Sequence, residues 1–595
     1  MAIIVNFAGA SLRKPGAYSR TKIASSGAAE AQLGVVALIG EADEGPAFNA
    51  SDVEASAYGP DQFSDIQNQF GSGELVDMAK LALAPSVDPQ IAGGAQKLYL
   101  LKTNVGSKAT LALPTSYGSL SAKLAGKNGN KISAQVQVTG STVVITVARS
   151  DLGVSEISEP LGNKVVMTLQ CTDGVASVAT VTIAGGVLTT SVTGGSASPL
   201  NIKLSDFATI GQVVEYINSI PLYSAAVGSA PGAVNMPTSV LDSKTAVDIL
   251  AVASCKRDLQ DVKDFFASSG LVDFSPTATA GLPTTLVKSF LTGGAKGSTT
   301  ASQVTAAIDA LAKVRVNFIV PLFSQDATAD IASGHTEAGS TYTIAGAIAA
   351  LKSHCAQMST VRGRKERQGF AGIKASYDDA KQASSDNAFN RLQLVFQEVQ
   401  VLASDGSTPF KQPHALAVIS AAMKAAAVVG LPNTFKAPNI LAFKAPSGDF
   451  DPETQADDAI DANLCFVERA PGGGFRFVLD NSTYAQTKDA WFNARPSVIY
   501  AADTAALSIR LNTETLVGLR NSDVSVESIK NLLIGVMDSL RASGIIVPDA
   551  SSGGRGFKDL SVRIEGSIVR ISVTLILVEG LEFVLSDITV QRASS

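Results

Sequence analysis

The sequence predicts a multidomain α/β protein: a mixed-sheet body, an inserted β-rich module and a carboxy-terminal domain for assembly. Three observations carry this. Buried-strand runs alternate with helical runs near residues 34–102, as in an α/β layer. Between residues 104 and 237 the texture changes to short alternating runs separated by Gly, Asn, Ser and Thr turns. Beyond residue 524 an amphipathic helix precedes a Val- and Ile-rich hairpin and a last strand.

At 595 residues the chain exceeds what one core usually holds, roughly 250–300 residues. Hydrophobic residues make up 46% and mean hydropathy is +0.22, whereas charged residues make up only 17%. That balance suits a surface covered by neighbours. Net charge is −6 and the pI near 5.4, which gives no global basic footprint for nucleic acid. The four cysteines, Cys171, Cys255, Cys355 and Cys465, are widely spaced and read as buried thiols, without zinc-site or disulfide spacing. The first residues lack the pattern of a signal peptide, and no apolar run reaches the roughly 18 residues of a spanning helix. The expectation is a protein made and used without membrane insertion.

In chain order, Ile3, Val5 and Phe7 alternate as a short strand, followed by a polar linker to residue 27. Residues 34–40 read as a buried strand, 60–70 and 75–83 as helices, and 97–102 as a second strand. In the inserted module, 132–138, 143–147, 165–169 and 178–183 read as strands and 210–220 as a helix. The body is expected to resume at residue 238 with a helix over 247–266, a helix over 301–313 and a strand over 316–322. Helices near 345–358 and 413–429, a strand near 393–402 and a strand over 497–500 complete it. The domains are therefore 1–27 (arm and linker), 28–103 with 238–495 (body), 104–237 (outer module) and 496–595, including a terminal arm over 580–595.

In that last domain Val526, Ile529, Leu532, Leu533, Val536, Met537 and Leu540 share one helical face, with Ser525 as cap and Gly544 as stop. Residues 560–578 then form strands with a turn at Glu565-Gly566, and a break at Glu579-Gly580 releases Phe583, Leu585, Ile588 and Val590 as a final strand. An unpaired terminal strand is a template for pairing with another molecule.

Catalytic and binding motifs fail on spacing. In residues 293–300 Lys296 precedes the glycine it should follow in a phosphate loop, which leaves a structural turn and helix cap. Asp451, Glu453, Asp457, Asp458 and Asp461 lack the glycine turn of a calcium loop and read as a solvated acidic loop. His335, His354 and His414 are scattered. No Gly-x-Ser-x-Gly elbow has plausible partners, so the residues indicate no enzyme, cofactor or metal. Arg362, Arg364, Lys365 and Arg367 form the densest basic cluster, read either as a solvated face or as a contact to an acidic patch on a neighbouring subunit.

The order of several motifs resembles the contractile tail sheath proteins of myophages and phage-tail-like bacteriocins. Pro15-Gly16-Ala17-Tyr18 is similar to the family's Pro-Gly-x-Tyr, residues 34–46 (GVVALIGEADEGP) to its first core strand and loop, and 63–102 to its F-x-x-x-F-G helix and Gly-Gly-plus-strand segment. Residues 124–132 (LAGKNGNKI) resemble its G-x-x-G-N-x-I turn, 291–297 (LTGGAKG) its L-x-G-G-x-x-G loop with Lys296 where an acid is more usual, and 580–590 (GLEFVLSDITV) its carboxy-terminal arm. The resemblance implies a virion structural protein, assembled in the host cytoplasm and stacked as hexameric rings around a tail tube. Its partners would be further copies, the tube protein, and baseplate and tail terminator proteins. The arms Ile3, Val5, Phe7 and Phe583, Leu585, Ile588, Val590 would add strands to neighbours, and Lys530 and Arg541 would meet an acidic tube. A baseplate-type assembly protein, a surface-layer protein and an α/β enzyme with a β-rich accessory domain stay open as alternatives; the missing signal peptide disfavours the surface layer.

Overall fold

The computed structural model describes residues 5–7, 10–12, 33–444, 449–485, 491–520, 524–582 and 584–586. Two compact units emerge, one of residues 34–427 with 433–494, the other of residues 1–33, 428–432 and 495–595.

The larger unit is built on a six-stranded sheet in the order Leu392–Val395, Gln368–Gly372, Phe318–Pro321, Val35–Gly40, Lys97–Lys102, Ala57–Tyr58. The first five strands are parallel and the last is antiparallel. Val35–Gly40 and Phe318–Pro321 are buried at every residue, as strands covered on both faces must be. Val35, Ala37 and Ile39 face a core shared with the helices Ala301–Ala310 and Ile344–Met358. The helices Glu74–Leu83 and His414–Ala426 also pack on the sheet. His414–Ala426 is buried on nearly all sides, which explains why its sequence is mostly apolar on every face, with His414, Ser420 and Lys424 as buried exceptions.

After Lys97–Lys102 the chain leaves the body and forms two nested β-rich cores. The outer one joins Leu120, Ile132, Val136, Ile145 and Val147 to Leu259, Phe266, Val272 and Leu291. The inner one joins Met167, Val181, Leu188, Ile202, Val213 and Cys255. This corrects the expected return to the body at residue 238. Residues 244–248 and 253–256 are strands, the helix begins only at Asp258 (Asp258–Ser268), and it packs into the outer β-rich core. Ala253 and Cys255 are buried while Ser254 and Lys256 are partly exposed, a two-residue alternation too short to stand out beside the helix that follows.

Two further expectations are revised. The strand expected at 497–500 lies inside the helix Pro496–Glu514, with Pro496 in its first turn, and Pro496–Ala501 are all buried. Burial all round erases any period, so the β-branched pair Val498-Ile499 was misleading. The strand expected over 393–402 is two strands, Leu392–Val395 and Glu398–Gln400, in different sheets.

In the smaller unit the helix Val526–Ala542 starts at Ser525, whose side chain accepts from Ser528 N–H in a capping box. Gly544 follows at φ +73°, a left-handed stop. The hairpin Phe557–Glu565 and Ile568–Leu575 turns at Gly566, where φ is +62°.

Candidate assembly surfaces

The hairpin alternates along both strands. Phe557, Leu560, Val562 and Ile564, with Ile571, Val573 and Leu575, turn inward onto Ile529, Leu533, Val536 and Met537 of the helix, or onto the neighbouring Ile546. Five of the seven apolar positions of the helix are buried; Val526 and Leu532 are half-buried. Among the described residues the two strands pair only with each other, apart from a bridge between Ile546 and Leu577 just beyond the hairpin. Both long edges thus present unpaired backbone groups.

Of the amino-terminal arm residues, Val5 and Phe7 lie in the strand Val5–Phe7, which pairs antiparallel with Ala10–Leu12; Ile3 lies outside the described residues. Of the carboxy-terminal arm, Phe583, Ile588 and Val590 lie outside the described residues, and Leu585 is 93% exposed and is not itself part of a strand. Just before it, Glu582 is held by the Arg495 guanidinium at the start of the long helix.

Lys530 and Arg541 each pair with an acid one turn back on their own helix, Glu527 at 3.2 Å and Asp538 at 3.3 Å. Such exposed pairs bind weakly and leave the cations available. The basic cluster divides. Arg362 and Arg364 are exposed, and Lys365 is half-buried with its ammonium on the carbonyls of Ala312 and Lys313. Arg367 is 1% exposed and donates to the carbonyls of Leu311, Val314 and Lys365 at 3.0, 3.1 and 2.9 Å, so it cannot meet a neighbouring subunit. Its guanidinium also contacts His354 Nε2 at 3.0 Å. Burial, then the Arg367 charge, pushes the His354 pKa down to about 4. The exposed Asp309 carboxylate, 3.8 Å from Nδ1, is too well solvated to reverse this.

In chain order the body's parallel strands run first, second, third, fourth, fifth, and in space fifth, fourth, third, first, second. The order reverses between Val35–Gly40 and Phe318–Pro321, and ligands of such sheets sit at the strand ends there. The crevice at that point has a volume of about 190 Å³ and is crossed by the protein's own ions. Lys296 meets Glu41 at 2.7 Å, Lys127 meets Asp43 at 2.9 Å, and Lys411 meets both Glu74 and Asp77 at 2.6 Å. His414 Nε2 lies 2.8 Å from Glu74, and Asp330 accepts from Gln325, Gln412 and Tyr342. Burial alone would raise the Glu74 pKa, but Lys411 and His414 hold it well below the usual carboxylate range. Lys102, buried beside them, is pulled down to about 8 by burial. Sequence reading missed this network because its members come from segments hundreds of residues apart.

The 293–297 loop is likewise self-satisfied. Gly294 N–H donates to Asn130 Oδ1 at 2.9 Å, Asn130 returns a bond to Gly294 O, and Thr300 with Gln303 caps the following helix. In the acidic segment Asp458 accepts from Lys381 and Tyr377. Among the described residues no group of His, Cys, Asp or Glu is arranged to hold a metal ion, and no helix is long and apolar enough to cross a membrane.

No protein-family model and no curated protein matches the chain. Solved structures do. A sheath tail protein from Desulfitobacterium hafniense, 13% identical, aligns over 95% of this chain and 100% of its own with a TM-score of 0.52, so the two share a fold. A sheath tail protein from Listeria innocua, 14% identical, aligns over 92% of each chain with a TM-score of 0.49. The helical sheath of the anti-feeding prophage in its contracted state, 13% identical, aligns over 48% of this chain and 74% of its own with a TM-score of 0.36.

Proposed function

We propose that the chain is a structural subunit of a contractile tail sheath. It polymerises as stacked hexameric rings around a tail tube and contracts to drive that tube through a target cell envelope. The observation that carries this is the fold shared with a sheath tail protein over 95% of the chain, together with the order of motifs from Pro15-Gly16 to Gly580-Leu581. The open edges of the carboxy-terminal hairpin supply the joint: strands from the arms of neighbouring copies, residues 1–12 and 580–595, pair along them. Backbone pairing persists while subunits rotate, because the linkers absorb the change. A difference of a few kcal/mol per subunit, summed over coupled rings, suffices for a one-way transition. Further partners in this reading are the tube, baseplate and tail terminator proteins; the particle is a virion or a phage-tail-like body assembled in the bacterial cytoplasm.

The sheath reading is favoured over an α/β enzyme because the crevice at the strand-order reversal is taken up by the protein's own salt bridges, from Lys296–Glu41 to Lys411–Asp77. An enzyme would need polar groups there that await a substrate. The reading is tested by removing residues 1–12 or 580–595 from the full chain. Each deletion is expected to leave a folded, soluble monomer that no longer polymerises; polymerisation at the wild-type level by both would refute strand exchange.

A further inference from the structure

The outward face of the carboxy-terminal hairpin carries an unresolved charge problem. Arg563 stands directly across the ladder from Arg570. Like charges so placed repel, their Cβ atoms being about 5 Å apart. Glu565 pairs with Arg570 at 2.8 Å, whereas Arg563 has no ion-pair partner among the described residues. Lys558, also outward, adds a third cation; it donates to Ser551 Oγ at 3.4 Å and lies in the field of the Asp549 carboxylate. The rest of this face is small and polar at Ser561, Ser572 and Thr574, and the exposed Ile568 stands across from Glu565 at its turn end.

The larger unit has the opposite imbalance. Glu453, Asp457 and Asp461 recur at four-residue spacing, the last two on the short helix Ala456–Asp461, and all three are exposed. None has an ion-pair partner among the described residues; the neighbouring Asp458 takes Lys381, at 3.0 Å. Residues four apart on a helix have Cβ atoms about 5–6 Å apart, close to the spacing of two residues facing each other across a ladder.

We propose that the outward hairpin face is a docking surface for a second copy of this chain, which sets the carboxylates of Asp457 and Asp461 against the guanidiniums of Arg563 and Arg570. The match in sign, number and spacing argues for the chain's own acidic stripe as occupant. Forked Arg–carboxylate bonds would relieve both repulsions at once. This contact rests on the assembly reading and adds to strand exchange a side-chain contact that fixes which face of a neighbour is met.

The test is polymer formation by the full chain, read by sedimentation at 0.15 M salt, with thermal melts as folding controls. Arg563→Glu with Arg570→Glu, and separately Asp457→Lys with Asp461→Lys, are each expected to cut the sedimenting fraction at least tenfold without moving the melt. An equimolar mixture of the two variants is expected to restore polymer, since each then offers the other a complementary face, and so is the chain carrying all four changes. Wild-type-like polymer from the arginine variant overturns the proposal. So does failure of both the mixture and the fourfold variant to recover, which would mean that the acidic partner is another protein. Wild-type chain that never sediments would instead sink the sheath reading, and the docking proposal with it.

Discussion

Lys424→Met probes the joint between the buried helix His414–Ala426 and the segment around residue 480. The ammonium of Lys424 bonds the Asp480 carboxylate, and the two side chains are 1% and 0% exposed. Without Lys424, Asp480 would keep its bond from Gln393 Nε2 at 3.2 Å, one neutral donor for a carboxylate held out of water. Removing one member of such a pair costs about 3–5 kcal/mol, because the remaining charge is uncompensated. Replacing both members, Lys424→Met with Asp480→Asn, removes the desolvated charge altogether and is expected to fall within about 1 kcal/mol of wild type or above it. Urea unfolding followed by the fluorescence of Trp491, the single tryptophan, reads both variants. A cost below about 1 kcal/mol for the single variant, or a double variant as unstable as the single one, would refute the assignment of a desolvated, mutually dependent pair.

Two other expectations concern the neighbourhood of Arg367. His354, with its pKa pushed down to about 4 in the fold, takes up its proton more readily when unfolded. The stability it contributes is therefore lost as pH falls from the ordinary value of 6.5 towards 4, and His354→Gln is expected to flatten unfolding curves over that window while leaving them similar at pH 7.5. Arg367→Met takes the guanidinium from the carbonyls of Val314 and Lys365, while Leu311 O keeps a bond from Val314 N–H, and is expected to cost about 2–6 kcal/mol, from a penalty of about 1–3 kcal/mol for each group left unpaired. Arg367→Lys should rescue little, since one ammonium cannot reproduce the guanidinium fork; full rescue in a thermal melt would contradict that geometry.

Local pattern was legible where one face is buried. The helix from Val526 shows its period because its other side meets water, and the turn at Glu565-Gly566 is announced by the glycine. Pattern failed where burial is uniform, as in the helix starting at Pro496, or where an element is too short to show a period, as at Ala253–Lys256. Charge runs proved ambiguous for a related reason. Arg362 and Arg367 are five residues apart, yet one faces solvent and the other caps carbonyls inside the fold. The crevice network was invisible because Glu41, Glu74, Lys296 and Lys411 meet only through the sheet order. The outer limit of the β-rich insertion was missed because the chain returns to the outer core after building the inner one.

The sheath account is tested most directly by electron microscopy of the full chain purified alone and then mixed with a candidate tail tube. It predicts hollow cylinders of six-fold cross-section, formed by the chain itself or around the tube. Monodisperse monomers in both preparations, at every concentration tried, would contradict it.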